Sequence, residues 1–163
     1  MEILESNLAH WAKLLVSRGF ADDADHPGDG AAGGLGFALR TILRAEITSG
    51  AKLVIDCAKL PELLRGASLI VTGEGRTDGQ TADGKLCSEV AKTARALGVP
   101  AVLCSGAITG DDGGVERLFD AALSIAQGPG TLEQAIFDTR QNLYRAGAML
   151  AGVFSAGATA TEQ

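Results

Sequence analysis

Aromatic side chains make up only 4% of this 163-residue chain, with one Trp, one Tyr and five Phe. A core without aromatic bulk must be filled by Ala, Leu, Val and Ile, and the 22 glycines point to turns and close backbone approaches. Histidine is scarce too. His10 and His26 have no second histidine or cysteine at ligand spacing, which argues against a zinc site or a Cys–His nucleophile pair, and His10 is expected on a helix surface. Cys57, Cys87 and Cys104 are odd in number, lack CxxC spacing and sit among apolar neighbours, so they are expected to be free, buried thiols in a reducing compartment. No stripe of Lys and Arg stands out among 14 basic and 20 acidic residues, and the net charge is −6, so a nucleic-acid partner is not expected. No apolar run is long enough to cross a bilayer, and the first residues carry Glu2, Glu5 and His10 where a secretion signal needs a basic start and an apolar stretch. A cytoplasmic protein with no membrane partner is expected.

What is present is ordinary globular material, 46% hydrophobic and 21% charged, enough for a packed core. Ile3, Leu4, Leu8, Trp11, Leu14 and Leu15 recur at helical spacing, and Gly19 stands where a C-terminal cap belongs. The acidic, turn-rich stretch 21–29 ends that helix, since Pro27 follows His26. A second helix is predicted over about 31–45 with Leu35, Leu39, Ile42 and Leu43 on one face, a short extended segment at 46–48, and a third helix over about 53–64. From Gly66 onward short apolar runs alternate with helical patterns: a strand over 68–72, a helix over 84–97 and a strand over 101–104 form a βαβ unit. A helical turn at 115–119 and a strand over 121–125 follow, and Thr131 opens a long helix with Gln134 placed to complete a capping box. Beyond Phe154 the residues are small or polar and a frayed tail is expected. The fold class is α/β with a parallel sheet. Three strands are few for a sheet covered on both faces, so the sheet is expected to be incomplete or completed by another chain, and an uncovered edge invites pairing with a second copy.

Ligands of open α/β sheets bind beyond the carboxyl ends of the strands, and each of the three exits carries glycine: Gly73-Glu74-Gly75-Arg76-Thr77-Asp78-Gly79-Gln80, Ser105-Gly106, and Gly128-Pro129-Gly130. The first is the densest in charge. Two carboxylates, a guanidinium and a carboxamide suit phosphoryl transfer, with Glu74 and Asp78 holding Mg²⁺ and Arg76 facing phosphoryl oxygens; the alternative is a polar turn whose charges pair with each other in solvent. Gly79 to Lys85 has the spacing of a phosphate-binding loop, but Leu86 stands where Ser or Thr should bind the metal, Asp83 would bring negative charge into the cradle, and Gly79 lies well beyond Thr72. That loop is rejected. Lys85 opens a helix, where it either reaches a phosphate or lies solvated. The glycine-rich run from Gly28 to Gly36 is either an anion cradle or a close helix contact with Asp29 as N-cap.

Taken together, Gly28-Asp29-Gly30-Ala31-Ala32-Gly33-Gly34-Leu35-Gly36 and Thr72-Gly73-Glu74-Gly75-Arg76-Thr77-Asp78-Gly79-Gln80 with Gly84-Lys85 resemble the two C-terminal signatures of the glycerate kinase type I family, and the likeness extends over residues 1 to about 153. The resemblance implies a transferase of organic-acid metabolism that moves the γ-phosphate of ATP to glycerate, tilted toward the 2-hydroxyl. It implies two α/β domains, one Rossmann-like and built from both ends of the chain, the other inserted. Residues 1–65 would end the inserted domain, residues 66–153 would be the C-terminal part of a partial Rossmann-like sheet, and residues 154–163 a flexible tail. The family's N-terminal strand and its Pro-Asp-Ser-Phe-Lys-Gly motif are missing here, so the expected partners are ATP, glycerate and the absent N-terminal part. Asp29 replaces a residue that is usually small and neutral. Matching motif positions carries over Glu74, Arg76, Asp78 and Lys85 as catalytic candidates, Glu74 and Asp78 as ligands for Mg²⁺, and Gly30, Gly33, Gly34 and Gln80 as substrate-binding positions. The competing expectations are a non-catalytic metabolite-binding module and an isolated fragment of the kinase.

Overall fold

The computed structural model describes residues 2–20, 26–78, 85–109 and 114–161, and the chain divides into two compact units, Met1–Ser49 and Gly50–Gln163.

In the first unit, α1 (Glu2–Ser17) packs against α2 (Ala31–Ile42). Gly19, at φ 77°, closes α1 in a Schellman arrangement, with Phe20 N–H donating to Leu15 O and Gly19 N–H to Val16 O, as its place in the sequence predicts. His10 is exposed on α1. The face of α2 that packs is not the predicted one: Leu35, Leu39, Ile42 and Leu43 are exposed, while Gly34, Phe37 and Thr41 are buried. The cause is the entry. Ala32, Gly33 and Gly34 have φ of 50°, 70° and 92°, so the regular helix begins only after them, and the edge of Trp11 stands on the Phe37 ring at 5.5 Å between centroids. Segment 46–48 forms no strand.

The second unit carries the sheet. The helix predicted over 53–64 is two helices, α3 (Gly50–Cys57) and α4 (Leu60–Leu63), parted by Lys59 at φ 52° just before Pro61. Strands β1 (Ile70–Glu74), β2 (Ala101–Ser105) and β3 (Ala121–Ser124) lie parallel in the order β1-β2-β3, with Glu74 opposite Ser105 and Ser105 opposite Ser124. The sheet is parallel as predicted, but β1 starts and ends two residues later, which makes Glu74 its last residue rather than part of the loop beyond. Between β1 and β2 runs α5 (Leu86–Ala96), which buries Cys87, Val90, Ala91 and Ala94 against β1 and β2 at helical spacing. It ends at Gly98, φ 70°, in a second Schellman motif. Leu64, Leu103 and Phe119 complete this core with Val99 and Ala101; burying a side chain such as the wholly enclosed Leu103 is worth about 2 kcal/mol.

After α6 (Val115–Leu118) and β3, the long helix expected from Thr131 is broken at Asp138 into α7 (Leu132–Phe137) and α8 (Thr139–Thr161). Thr131 Oγ1 accepts the Gln134 N–H as a cap should, at 3.2 Å, but the Gln134 amide donates to Asp138 Oδ2 instead of returning, so the capping box is half made. The stretch expected to fray past Phe154 is helical to Thr161, in keeping with its alanines. Cys87 and Cys104 are buried; Cys57, expected to be buried, is exposed.

Candidate functional site

The exits of β1 and β2 are stitched into a shared ledge. Gly106 N–H donates to Glu74 O at 3.0 Å, Thr77 N–H to Ala107 O at 2.8 Å and Thr109 N–H to Thr77 O at 3.1 Å, so the two chains stay parallel past the end of the sheet. Glycine is required here by the backbone itself. A Cβ on Gly106 would stand 2.3 Å from Gly75 O, and one on Gly73 2.6 Å from Cys104 O.

On this ledge Glu74 is half-buried, and its carboxylate accepts a hydrogen bond from the Thr77 hydroxyl at 2.9 Å. Thr77 is fully buried. Asp78 lies between two cations, 4.0 Å from Arg76 Nε and 3.9 Å from Lys85 Nζ, and the side chains of Arg76, Asp78 and Lys85 are 68%, 36% and 44% exposed. Those separations are those of loose ion pairs, which contribute little to stability. Lys85 is the N-cap of α5 without a side-chain cap bond, so it stands at the end of the helix whose dipole favours anions. Of the expected residues, Glu74 thus ends β1, and Arg76, Asp78 and Lys85 cluster just beyond it. Gln80 lies outside the described residues, as do Gly79 to Gly84 of the rejected phosphate loop.

The thiols below the ledge are inert. Burial, with Glu74's charge nearby, pushes Cys87 up against the opposing effect of a bond from Thr72, and burial pushes Cys104 up as well, so neither is a thiolate nucleophile at neutral pH. Among the described residues no group of three His, Cys, Asp or Glu side chains forms a metal cage. The carboxylates of Glu74 and Asp78 are oxygen donors of the kind a hard cation such as Mg²⁺ takes, and one or two of them would suffice with phosphate oxygens and water completing the shell. Alongside the ledge, within the same unit, runs an apolar groove of about 890 Å³ between the β1 face, with Leu69 and Val71, and the apolar sides of α7 and α8, with Ile136, Leu143 and Phe154.

The glycine-rich run belongs to the first unit. Asp29 is not an N-cap; Gly30 holds that position, and the Asp29 carboxylate, 6% exposed, takes the Arg40 guanidinium in a two-pronged grip at 2.8 and 2.6 Å and the His26 N–H at 3.1 Å. Arg40 holds this carboxyl below its ordinary range. Gly34 is a packing position, since a Cβ there would meet Leu8 Cδ2 at 2.7 Å and Trp11 Cζ3 at 3.1 Å, whereas Cβ atoms on Gly30 and Gly33 would meet nothing within 4 Å. Gly33 and Gly34 also line a groove of about 670 Å³ with Leu4, Leu8 and Trp11. Reading charge alone overlooks Thr77, and the signal available for it is a hydroxyl three residues after Glu74 within a run of charged side chains.

Residues 1–155 match the glycerate kinase family. The chain is 36% identical over 155 residues to the glycerate kinase of Bacillus cereus and to the same degree to the glycerate 2-kinase of Escherichia coli, in each case covering 94% of this chain and 41% of the relative. The crystal structure described as a putative glycerate kinase 2 from Salmonella typhimurium LT2 superposes with a TM-score of 0.71 at 32% identity, covering 93% of this chain and 39% of that one. The chain therefore spans about two fifths of the length of these relatives. A family match over nearly the whole sequence, on a parallel sheet whose first exit gathers the four charged residues, places this chain in the glycerate kinase family.

Proposed function

We propose that this chain is the C-terminal portion of a glycerate kinase, which transfers the γ-phosphate of ATP to the 2-hydroxyl of glycerate, and that its cleft is completed by the N-terminal part of the family's fold. The observation that carries the reading is the cluster of Arg76, Asp78 and Lys85 at the exit of β1, next to its last residue Glu74, in a chain of this family. Glu74 and Asp78 would hold Mg²⁺, which when bound neutralises charge on the ATP phosphates. Arg76, with its planar fork, faces phosphoryl oxygens or the glycerate carboxylate, and Lys85 faces phosphate from the start of α5. By their positions in the family-like motifs alone, Gly30, Gly33, Gly34 and Gln80 would contribute to substrate binding. By the resemblance, residues 1–65 would end an inserted domain and residues 66–153 belong to the Rossmann-like one, whereas the compact units divide at Ser49. The groove beside β1 supports the need for a further segment: Val71 on the edge strand and Leu132, Ile136, Leu143 and Phe154 on α7 and α8 line it and are all exposed, an apolar extent of the kind a partner segment covers. A cytoplasmic location fits a chain in which no described helix can cross a membrane. The position of the phosphate is tested by ³¹P–¹H NMR of the product formed from ATP and glycerate by the complete enzyme: coupling to the C2 proton is expected, and coupling to the C3 protons would reassign the acceptor hydroxyl.

A further inference from the structure

We propose that Thr77 is a positioning residue that fixes the Glu74 carboxylate at the exit of β1; the proposal rests on the reading of Glu74 as a metal-holding group. Thr77 is 0% exposed between Arg76 and Asp78, whose side chains are 68% and 36% exposed. Its hydroxyl lies 2.9 Å from Glu74 Oε1, and an ionised carboxylate only accepts, so the hydroxyl is the donor. The donor is itself immobile. The Thr77 N–H donates to Ala107 O at 2.8 Å, and Thr77 O accepts from both the Thr109 N–H and Thr109 Oγ1, each at 3.1 Å. A β-branched side chain on a backbone tied at both ends has little torsional freedom, so Glu74 is referenced through Thr77 to the exit of β2. A glutamate otherwise has three side-chain torsions to order when it takes a ligand, and the hydroxyl removes part of that freedom beforehand.

The test uses the full chain and four variants: Thr77→Ser, which keeps the donor; Thr77→Val and Thr77→Ala, which lose it; and Glu74→Gln. Three-bond couplings in NMR spectra report the Glu74 rotamers, and titration with Mn²⁺ in the presence of ATP reports metal at β1 through paramagnetic broadening. A single Glu74 rotamer is expected in the wild type and in Thr77→Ser, and averaged rotamers in Thr77→Val and Thr77→Ala. The Mn²⁺ concentration for half-broadening is expected to rise about tenfold or more in the two hydroxyl-free variants and to be restored in Thr77→Ser. A single rotamer in a hydroxyl-free variant, averaged rotamers in the wild type, or a Thr77→Ser variant that behaves like Thr77→Val would overturn the proposal. Failure of both hydroxyl-free variants to fold would assign the hydroxyl to folding and overturn it equally. Broadening absent from the wild type, or unchanged in Glu74→Gln, would instead remove the metal-holding role from Glu74, while the rotamers still decide whether Thr77 fixes it.

Discussion

Asp29 and Asp78 are both turn carboxylates, and their surroundings set opposite tests for them. Asp78 is partly exposed, with Arg76 and Lys85 at 4.0 and 3.9 Å, so the loss of these two pairs in Asp78→Asn should shift stability by no more than about 0.5 kcal/mol. If it holds metal or orients the glycerate hydroxyl, the same change in the complete enzyme should lower kcat about a hundredfold, equivalent to about 2.7 kcal/mol. Near-normal turnover at an unchanged melting temperature would remove it from the site. Asp29 is buried in a charge-assisted grip, and Asp29→Asn should cost the isolated chain about 2 kcal/mol in urea unfolding. Because its folded pKa lies below the ordinary value, this contribution is fully present above the unfolded pKa of about 3.9 and is lost as pH falls through the lower folded value. Between pH 5 and the acid limit the wild type should therefore lose more stability than Asp29→Asn; equal slopes would contradict the pairing. The thiols divide in the same way. Exposed Cys57 should be alkylated by iodoacetamide well before Cys87 and Cys104, as mass mapping of partially labelled chain would report.

At the scale of elements, the glycine-rich entry to α2 separates packing from ligand access. Gly34→Ala forces a Cβ against Leu8 and Trp11 at φ 92° and should cost about 2 to 3 kcal/mol, whereas Gly33→Ala faces open space and carries only a left-handed backbone penalty of about 1 kcal/mol. Denaturant curves of the two variants check this, and equal losses would contradict the packing assignment. Three consecutive left-handed residues are the reason α2 was only half legible in the sequence. Apolar spacing foresees the helix, but Leu35 and Leu39 face outward because Ala32, Gly33 and Gly34 postpone its regular turns, a shift that depends on contacts with Trp11 and Leu8 in another helix. The βαβ unit was legible to within about two residues, since the apolar runs, the helical period of α5 and the Gly98 stop all act locally. The break at Asp138 and the split at Lys59 escaped because the flanking segments keep helical composition on both sides. The charged candidates at the exit of β1 could be named from strand position and residue type. Thr77 could not, because its burial comes from the β2 exit, whose neighbouring segment is set by tertiary pairing.

For the molecule as a whole, the three parallel strands found among the described residues leave β1 and β3 each with one neighbour there, and the chain spans about two fifths of its relatives. Phosphoryl transfer depends on holding ATP and glycerate in line, which supplies much of the rate and requires both walls of a cleft. This chain supplies one charged ledge. It is expected to fold and to hold that ledge without turning over substrate, and an added N-terminal part of the family's fold is expected to supply the other wall. The direct measurement is glycerate-dependent release of ADP from Mg²⁺ and ATP, made on residues 1–163 alone, on the same residues joined behind the N-terminal part of a glycerate kinase, and on that joined protein with Glu74→Ala. The account predicts background turnover for the first, glycerate-dependent turnover for the second and its loss in the third; turnover by the chain alone, or turnover by the joined protein that survives Glu74→Ala, would contradict it.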